Sequence, residues 1–312
     1  MAGILIYSDK TRLALELAEA ARQLGLAEDR AYKAVSINHD EQSLELAARG
    51  LEVFSIQRSE LAAADTAAMA SALCQTAEQL DVDTILLSSD RRGKELAGRL
   101  AEAWGAGCLT GVKEWVFLEG RTACARSALG GATEAIQIIN SPRRVIAISP
   151  RAFIPVEGVE KGSVQPMEVK IEASTIKLVE TRSLAGDTVD IQAAARLIVV
   201  GQGVENQEEL TRGQKLAVLL KAEVACSKPV ASDKKWLPED RIVGLSGKLC
   251  KPDLAVILGV SGQVQFTVGI REARVIVSIN KDENAFMNKM ADYVLVGDLL
   301  EVLPELEKYL SQ

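Results

Sequence analysis

One histidine, His39, serves a chain of 312 residues, and its five cysteines, Cys74, Cys108, Cys124, Cys226 and Cys250, never fall into a Cys-x-x-Cys spacing. A lone histidine excludes multi-histidine metal sites. Scattered thiols disfavour zinc and iron–sulfur centres, whose ligands cluster in sequence, and an odd count fits a reducing compartment. A triad built on His39 is possible in principle, but a lone histidine between Asn38 and Asp40 is far more often a surface loop residue. Long apolar runs are also missing. The stretch 254–260 is of strand length, well short of the roughly 20 residues a helix needs to span a bilayer, so the chain is not expected to be membrane-embedded. Positive charge is not in excess either. With 36 Lys and Arg against 43 Asp and Glu, the formal net charge is −7, which argues against a nucleic-acid partner, because phosphate binding needs clustered cations. The opening Met-Ala-Gly-Ile-Leu-Ile-Tyr-Ser-Asp reads as a strand, with no basic and apolar leader ahead of it. A cytoplasmic, prokaryotic protein is therefore the expectation.

What is present is ordinary globular material, 48% hydrophobic and 25% charged, at a length comfortable for two domains. Strand-like and helix-like periods alternate at first. Strands are expected at 4–7, 34–37, 52–56 and 84–88, and helices at 41–49, 66–80 and 95–104. A further helix follows the first strand: Ser8 and Asp9 offer caps, Leu13, Leu17, Ala20, Ala21 and Leu24 share a face, and Gly25 supplies a stop. This alternation predicts a parallel sheet with helices on both faces. Between about 108 and 182 the pattern shortens to β-rich pieces with turns at Glu119-Gly120, Gly130-Gly131 and Ser141-Pro142, expected as the far, partly antiparallel edge of the first domain. Leu184-Ala185-Gly186-Asp187 reads as a linker, placing a boundary between 188 and 189. Beyond it strands are expected at 197–200, 224–226, 254–258, 275–279 and 293–296, and a helix at 205–220. The fold class is α/β, in two domains that each carry a mostly parallel sheet flanked by helices.

In open parallel sheets ligands bind in the crevice beyond the carboxyl ends of the strands, so the polar residues there are the candidates. Val200-Gly201-Gln202-Gly203-Val204-Glu205-Asn206 fails as a dinucleotide fingerprint, because Asn206 stands where the third glycine belongs, and Glu223, at the distance of a ribose acid, precedes its strand. Val243-Gly244-Leu245-Ser246-Gly247-Lys248 resembles the tail of a phosphate loop, but Ile242 and Leu249 break the pattern. The ATPase reading falls away and leaves Ser246 as a glycine-flanked hydroxyl. The strongest segment is Val260-Ser261-Gly262-Gln263-Val264-Gln265-Phe266. It turns from a buried strand into a short helix, whose unpaired N–H groups suit a pyrophosphate. Ser278-Ile279-Asn280-Lys281-Asp282 and Val296-Gly297-Asp298-Leu299 add an amide and an N-capping carboxylate at the next strand ends. Each polar residue is as readily a cap as a ligand contact, but five strand ends converging on one crevice point to a dinucleotide-sized ligand.

These blocks, from Gly244-Leu-Ser-Gly-Lys-Leu through Pro252-Asp-Leu-Ala-Val-Ile-Leu-Gly-Val-Ser-Gly-Gln-Val-Gln265 and Val277-Ser-Ile-Asn-Lys-Asp282 to Ala291-Asp-Tyr-Val-Leu-Val-Gly-Asp-Leu299, resemble the C-terminal signature of electron-transfer flavoprotein α subunits. The likeness covers about residues 190–312; the N-terminal part matches only in length and pattern. It implies a doubly wound FAD-binding domain at 189–312 and a redox carrier without general acid, base or nucleophile. Carried over by position, Ser227 and Lys228 stand near the flavin and its phosphates. Val243, Gly244, Leu245 and Ser246 run along the flavin ring, with the Ser246 hydroxyl toward its N5. Ser261, Gly262, Gln263, Val264 and Gln265 meet the pyrophosphate and ribityl chain, and Asn280, Asp298 and Leu299 hold the adenosine half. The likeness also implies a β subunit carrying AMP or a second FAD, packed against both domains. Electron donors would be flavin dehydrogenases such as acyl-CoA dehydrogenases, met by a swivel about the linker.

Three positions depart from the family pattern: Gln202 and Lys228 replace arginines, and Phe266 replaces a histidine. Each change removes a donor or positive charge where reduced flavin carries negative charge, and Lys228 keeps the charge but loses the guanidinium fork. A lower flavin potential is expected unless other donors stand in. Two other readings remain open: a nucleotide-binding structural or regulatory subunit that has lost its flavin, and a self-sufficient flavin or NAD oxidoreductase.

Overall fold

The computed structural model of the chain describes residues 2–118, 120–129, 133–155, 161–171, 176, 179–180 and 189–311, and divides into two compact units, 1–181 and 182–312. The expected linker 184–187, the expected boundary after 188 and the turn at 130–131 lie outside the described residues, as does the first residue of the turn at 119–120.

In the first unit, β1 (Gly3–Tyr7), β2 (Tyr32–Ile37), β3 (Glu52–Ile56) and β4 (Val82–Ser88) alternate with α1 (Thr11–Glu28), α2 (Asp40–Ala48), α3 (Thr66–Gln79) and α4 (Arg91–Trp104). Then come β5 (Gly107–Leu118), β6 (Arg121–Ala128), β7 (Thr133–Gln137), β8 (Arg144–Ile148) and β9 (Ser163–Pro166), giving the sheet order β7-β6-β5-β8-β4-β1-β2-β3-β9. The period of two along β1 splits its side chains between two cores. Ile4 and Ile6 pack with α1 and α2, while Leu5 and Tyr7 pack with α3 and α4. Among the described residues, only β5, β6 and β7 pair antiparallel, at one edge. The stretch expected wholly at that edge is in fact divided. β8, apolar along its length, inserts parallel between β4 and β5, and β9 joins β3 at the opposite edge.

Local signals misplaced some helix ends. Lys10, not Ser8 or Asp9, occupies the N-cap of α1, and the helix runs through Gly25 to Glu28, where Asp29 takes a left-handed φ of 52°. Gly25 is needed for another reason: a Cβ there would lie 2.6 Å from the Arg30 carbonyl oxygen. α4 starts four residues earlier than its apolar face, because the Asp90 carboxylate accepts from the Gly93 N–H at 2.8 Å. His39 caps α2, its Nδ1 accepting from the Gln42 N–H at 3.2 Å.

The second unit contains β10 (Arg196–Val200), α5 (Gln207–Leu219), β11 (Glu223–Cys226), α6 (Lys228–Ser232), β12 (Leu254–Leu258), α7 (Val264–Thr267), β13 (Ile276–Asn280), β14 (Tyr293–Val296) and α8 (Leu299–Leu310). Its five strands are all parallel in the order β11-β10-β12-β13-β14. Ile198 and Val200 face a core shared with α5, α6 and α8, and Leu197 and Val199 face one closed by α7 and the loops around it. Asn206, the residue that breaks the fingerprint, is the cap of α5. Its side chain accepts from the Glu209 N–H at 3.0 Å, while Glu209 accepts from the Glu205 N–H at 2.8 Å, a reciprocal cap that a glycine could not make.

Candidate functional site

The second sheet changes direction at β10, which has β11 on one side and β12 on the other. Connections leave such a switch point both ways, and a crevice opens beyond the carboxyl ends. A cleft of about 680 Å³ lies there, inside the roughly 300–1,000 Å³ common for small-molecule sites. Gln202 and Gly203 follow β10 into its wall; Ser227, Lys228 and Pro229 follow β11; Val243, Leu245 and Ser246 form a loop over it. Gly259, Val260, Ser261, Gln263, Gln265 and Phe266 come from beyond β12, and Asn280, Asp282 and Ala285 from beyond β13.

Glycines let these walls approach each other. A Cβ on Gly201 would sit 2.3 Å from the Gly259 carbonyl oxygen, so the turn after β10 lies directly on the end of β12, held by the Gly201 N–H to Leu258 and the Gly203 N–H to Gly259. Gly244, at φ 129°, would place a Cβ 2.4 Å from the Gln265 carbonyl oxygen, which accepts the Leu245 N–H at 2.8 Å. That contact fixes the 242–248 loop against the segment after β12. Gly262, at φ 85°, approaches the Met287 backbone in the same way.

Two polar features of the cleft lack protein partners. The Ser227 residue is 8% exposed, and its buried hydroxyl makes no hydrogen bond. In the segment after β12, the backbone N–H groups of Gly262, Gln263, Val264 and Gln265 donate to no protein acceptor among the described residues, and Gln263 and Gln265 line the cleft. A buried hydroxyl left this way in a native fold calls for an explanation, and a turn of free N–H groups suits an anionic ligand. Because α7 is a single turn, its dipole adds little; the free donors themselves carry the attraction. Cys226 ends β11 beside the cleft, but burial pushes its thiol up to about 12, so it remains protonated and unreactive.

Asp298 and Leu299 do not reach this cleft. They line a smaller neighbour of about 50 Å³, bounded also by Glu205, Lys281 and Gly297, which shares Gly203, Gly259 and Asn280 with the main one. Four strand ends, not five, therefore converge on the main cleft. In the first unit the corresponding switch point is shut: Lys10 pairs with Asp90 and Arg92 with Asp9, leaving space of about 10 Å³, room for about one water. A cleft of about 820 Å³ at the amino ends of the first sheet is lined by Arg30, Arg144, Glu28 and Asp83, whose two positive and two negative charges pair with one another.

The family model described as electron transfer flavoprotein FAD-binding domain matches residues 190–271, and the electron transfer flavoprotein domain matches 10–174. YdiR of Escherichia coli (strain K12), named as an electron transfer flavoprotein subunit, is 36% identical over 237 residues, covering 73% of this chain and 74% of YdiR. Protein FixB of Salmonella typhimurium (strain LT2) is 32% identical over 248 residues, covering 79% and 78%. The chain belongs to the electron-transfer flavoprotein α-subunit family. The match to the FAD-binding domain falls within its second unit, where the cleft at the β10–β12 switch point opens.

Within this flavoprotein subunit the sequence-derived residues divide by position. Gln202, Ser227, Lys228, Val243, Leu245, Ser246, Ser261, Gln263, Gln265, Phe266 and Asn280 line the main cleft. Gly244 and Gly262 lie behind its walls as the close-approach glycines, and Val264, 58% exposed, contributes its backbone and not its side chain. Asn280 is committed to the protein: Nδ2 donates to the Val260 carbonyl at 2.9 Å and Oδ1 accepts from the Asp282 N–H at 3.1 Å. It ties the ends of β12 and β13 together. Phe266, which borders the cleft, is otherwise buried in the core cluster of Val243, Ile257 and Val260. Sequence reasoning missed Gly259, whose φ of 61° follows β12 directly, and Lys234, which no motif marks.

Proposed function

We propose that this subunit holds one FAD in the main cleft and serves as an electron carrier between flavin dehydrogenases, such as acyl-CoA dehydrogenases, and a downstream acceptor. The observation that carries the reading is the pairing of the unpartnered Ser227 hydroxyl with the free N–H groups of residues 262–265 at one cleft. These N–H groups would hold the diphosphate, and Lys228, whose ammonium has no carboxylate partner among the described residues, adds attraction. Leu245, 62% exposed, offers apolar surface to the ring, and the Ser246 hydroxyl donates to a ring nitrogen. Asp298 and Leu299 stay outside the main cleft, in the small space beside its adenosine end, with Asn280 fixing the strand ends between. Bound FAD supplies the electron chemistry; the protein binds, orients and tunes it.

A partner subunit is part of the proposal. Every residue of the edge strand β14, Tyr293, Val294, Leu295 and Val296, is exposed, and an apolar unpaired edge invites either a partner or aggregation. A β subunit carrying AMP or a second FAD is the partner that family membership suggests. The flavin-free alternative is weakened by the Ser227 hydroxyl, buried in the cleft without a partner of its own.

The test is to purify the chain co-expressed with its β subunit and to measure released FAD and its reduction by an acyl-CoA dehydrogenase with substrate. About one FAD per α chain, reduced by the dehydrogenase, is expected. A complex that neither contains nor takes up FAD would return the chain to a structural role.

A further inference from the structure

The turn after β10 presents Gln202 to the cleft, and its N–H groups at 201 and 203 are spent on β12. Its carbonyl oxygens face a different partner. The Lys234 ammonium donates to the Gln202 carbonyl at 3.0 Å and to the Val204 carbonyl, and it lies 4.5 Å from the centre of the Trp236 ring. No carboxylate stands within ion-pair distance of it among the described residues. Lys234 belongs to the segment after α6, which returns on itself through the Lys234 N–H to Pro229 at 3.1 Å and the Trp236 N–H to Val230 at 3.1 Å. One uncompensated ammonium thus ties together the two segments that follow β10 and β11, both of which wall the cleft.

We infer that Lys234 is a positioning residue of the cofactor site: it fixes the Gln202 turn and supplies a permanent positive charge behind it. The inference rests on the FAD reading of the cleft. Gln202 stands where the family pattern has an arginine, so its own side chain brings no charge. The ammonium held on its carbonyl supplies one from the opposite side of the turn. Carbonyl oxygens and an aromatic face hold a cation in place without neutralising it as a carboxylate would. The charge therefore stabilises negative charge in the cleft, and more strongly the reduced flavin, which carries more of it, than the oxidised one.

The test uses the full chain with its β subunit, comparing wild type with Lys234→Met, which keeps the stem, and Lys234→Arg, which keeps the charge. Circular dichroism and the melting temperature establish that each variant is folded. Affinity for oxidised FAD is measured by flavin fluorescence, and the midpoint potential by dye-coupled titration. The expected result for Lys234→Met is a preferential loss of affinity for the one-electron-reduced flavin over the oxidised form by about tenfold, which is a fall of about 59 mV. Lys234→Arg should recover most of it. An unchanged potential in Lys234→Met overturns the inference, whether affinity is intact or falls equally for both forms, because an equal fall means support of the turn without electrostatic effect. A wild-type complex that takes up no FAD overturns the underlying reading instead, and is told apart because the failure precedes any substitution.

Discussion

Glu28 ends α1 in the first unit and joins two guanidinium groups. Arg144 donates to its two carboxylate oxygens at 2.9 and 2.6 Å, and Arg30 donates to it at 2.8 Å. The Arg30 side chain is only 3% exposed, with Arg144 at 17% and Glu28 at 18%. Burial pushes the Glu28 carboxyl up, but the hydrogen bonds from Arg144 and Arg30 outweigh it and hold the group down at about 2, against an ordinary 4.5. Such a difference corresponds to about 3 kcal/mol of linkage, reduced to about 2 kcal/mol because water reaches part of the network. Glu28→Gln removes the carboxylate. Arg30 keeps Asp83 and Arg144 keeps the Thr84 hydroxyl at 3.0 Å, while a single neutral amide oxygen replaces the charged acceptor that the two shared. We expect a loss of about 2 kcal/mol, below the roughly 3–5 kcal/mol of breaking a fully buried pair because water reaches part of the network, seen as a fall of about 4–8 °C in the melting of the first unit.

The pH dependence gives a second check. A carboxylate with a depressed value contributes its full stability above the unfolded value and loses it as pH falls through the folded one. The gap between wild type and Glu28→Gln should therefore stay constant from neutral pH to about 5, then close between about 4.5 and 2. Urea unfolding at several pH values measures it. A loss under about 0.5 kcal/mol at pH 7 would refute the reasoning, as would a gap that stays open to pH 2.5.

Three further outcomes follow from named contacts. Ser227→Ala should leave the flavin-free protein as stable as before or slightly more so, since it deletes a buried hydroxyl without a partner, yet weaken FAD binding about five- to tenfold; chemical denaturation and flavin titration read the two effects separately. Gly244→Ala drives a Cβ to within 2.4 Å of the Gln265 carbonyl oxygen at a positive φ, and should cost about 1–3 kcal/mol in the second unit while abolishing flavin retention on gel filtration. Asn206→Ala removes the cap of α5 and should lower stability by about 1 kcal/mol with little change in flavin content, measured by thermal melting and absorbance.

How far the sequence reveals this molecule depends on how local the cause is. The continuous apolar runs of β1 and β10, buried on both faces, and the 3.6 period in α1 and α3 come from side chains facing a core, so those elements stand out in sequence. The end of α1 does not, because Gly25 is demanded by the Arg30 carbonyl that returns over it, a contact no local pattern contains. The insertion of β8 between β4 and β5 is likewise a matter of pairing, not of propensity. In the cleft, the family-like blocks around Ser246, Ser261 and Asn280 expose the walls. Asp298 and Leu299 follow the outermost strand, β14, and line a neighbouring space instead. Lys234 was illegible for the same reason: an exposed-looking lysine in a polar stretch acquires its role only when β10 and β11 lie side by side.

The most direct test of the central claim is the structure of the complex with FAD bound. The account predicts the diphosphate against the N–H groups of residues 262–265, with the Ser227 hydroxyl hydrogen-bonded to the cofactor. A flavin seated elsewhere, with Ser227 still unpartnered and those N–H groups meeting only water, would contradict it.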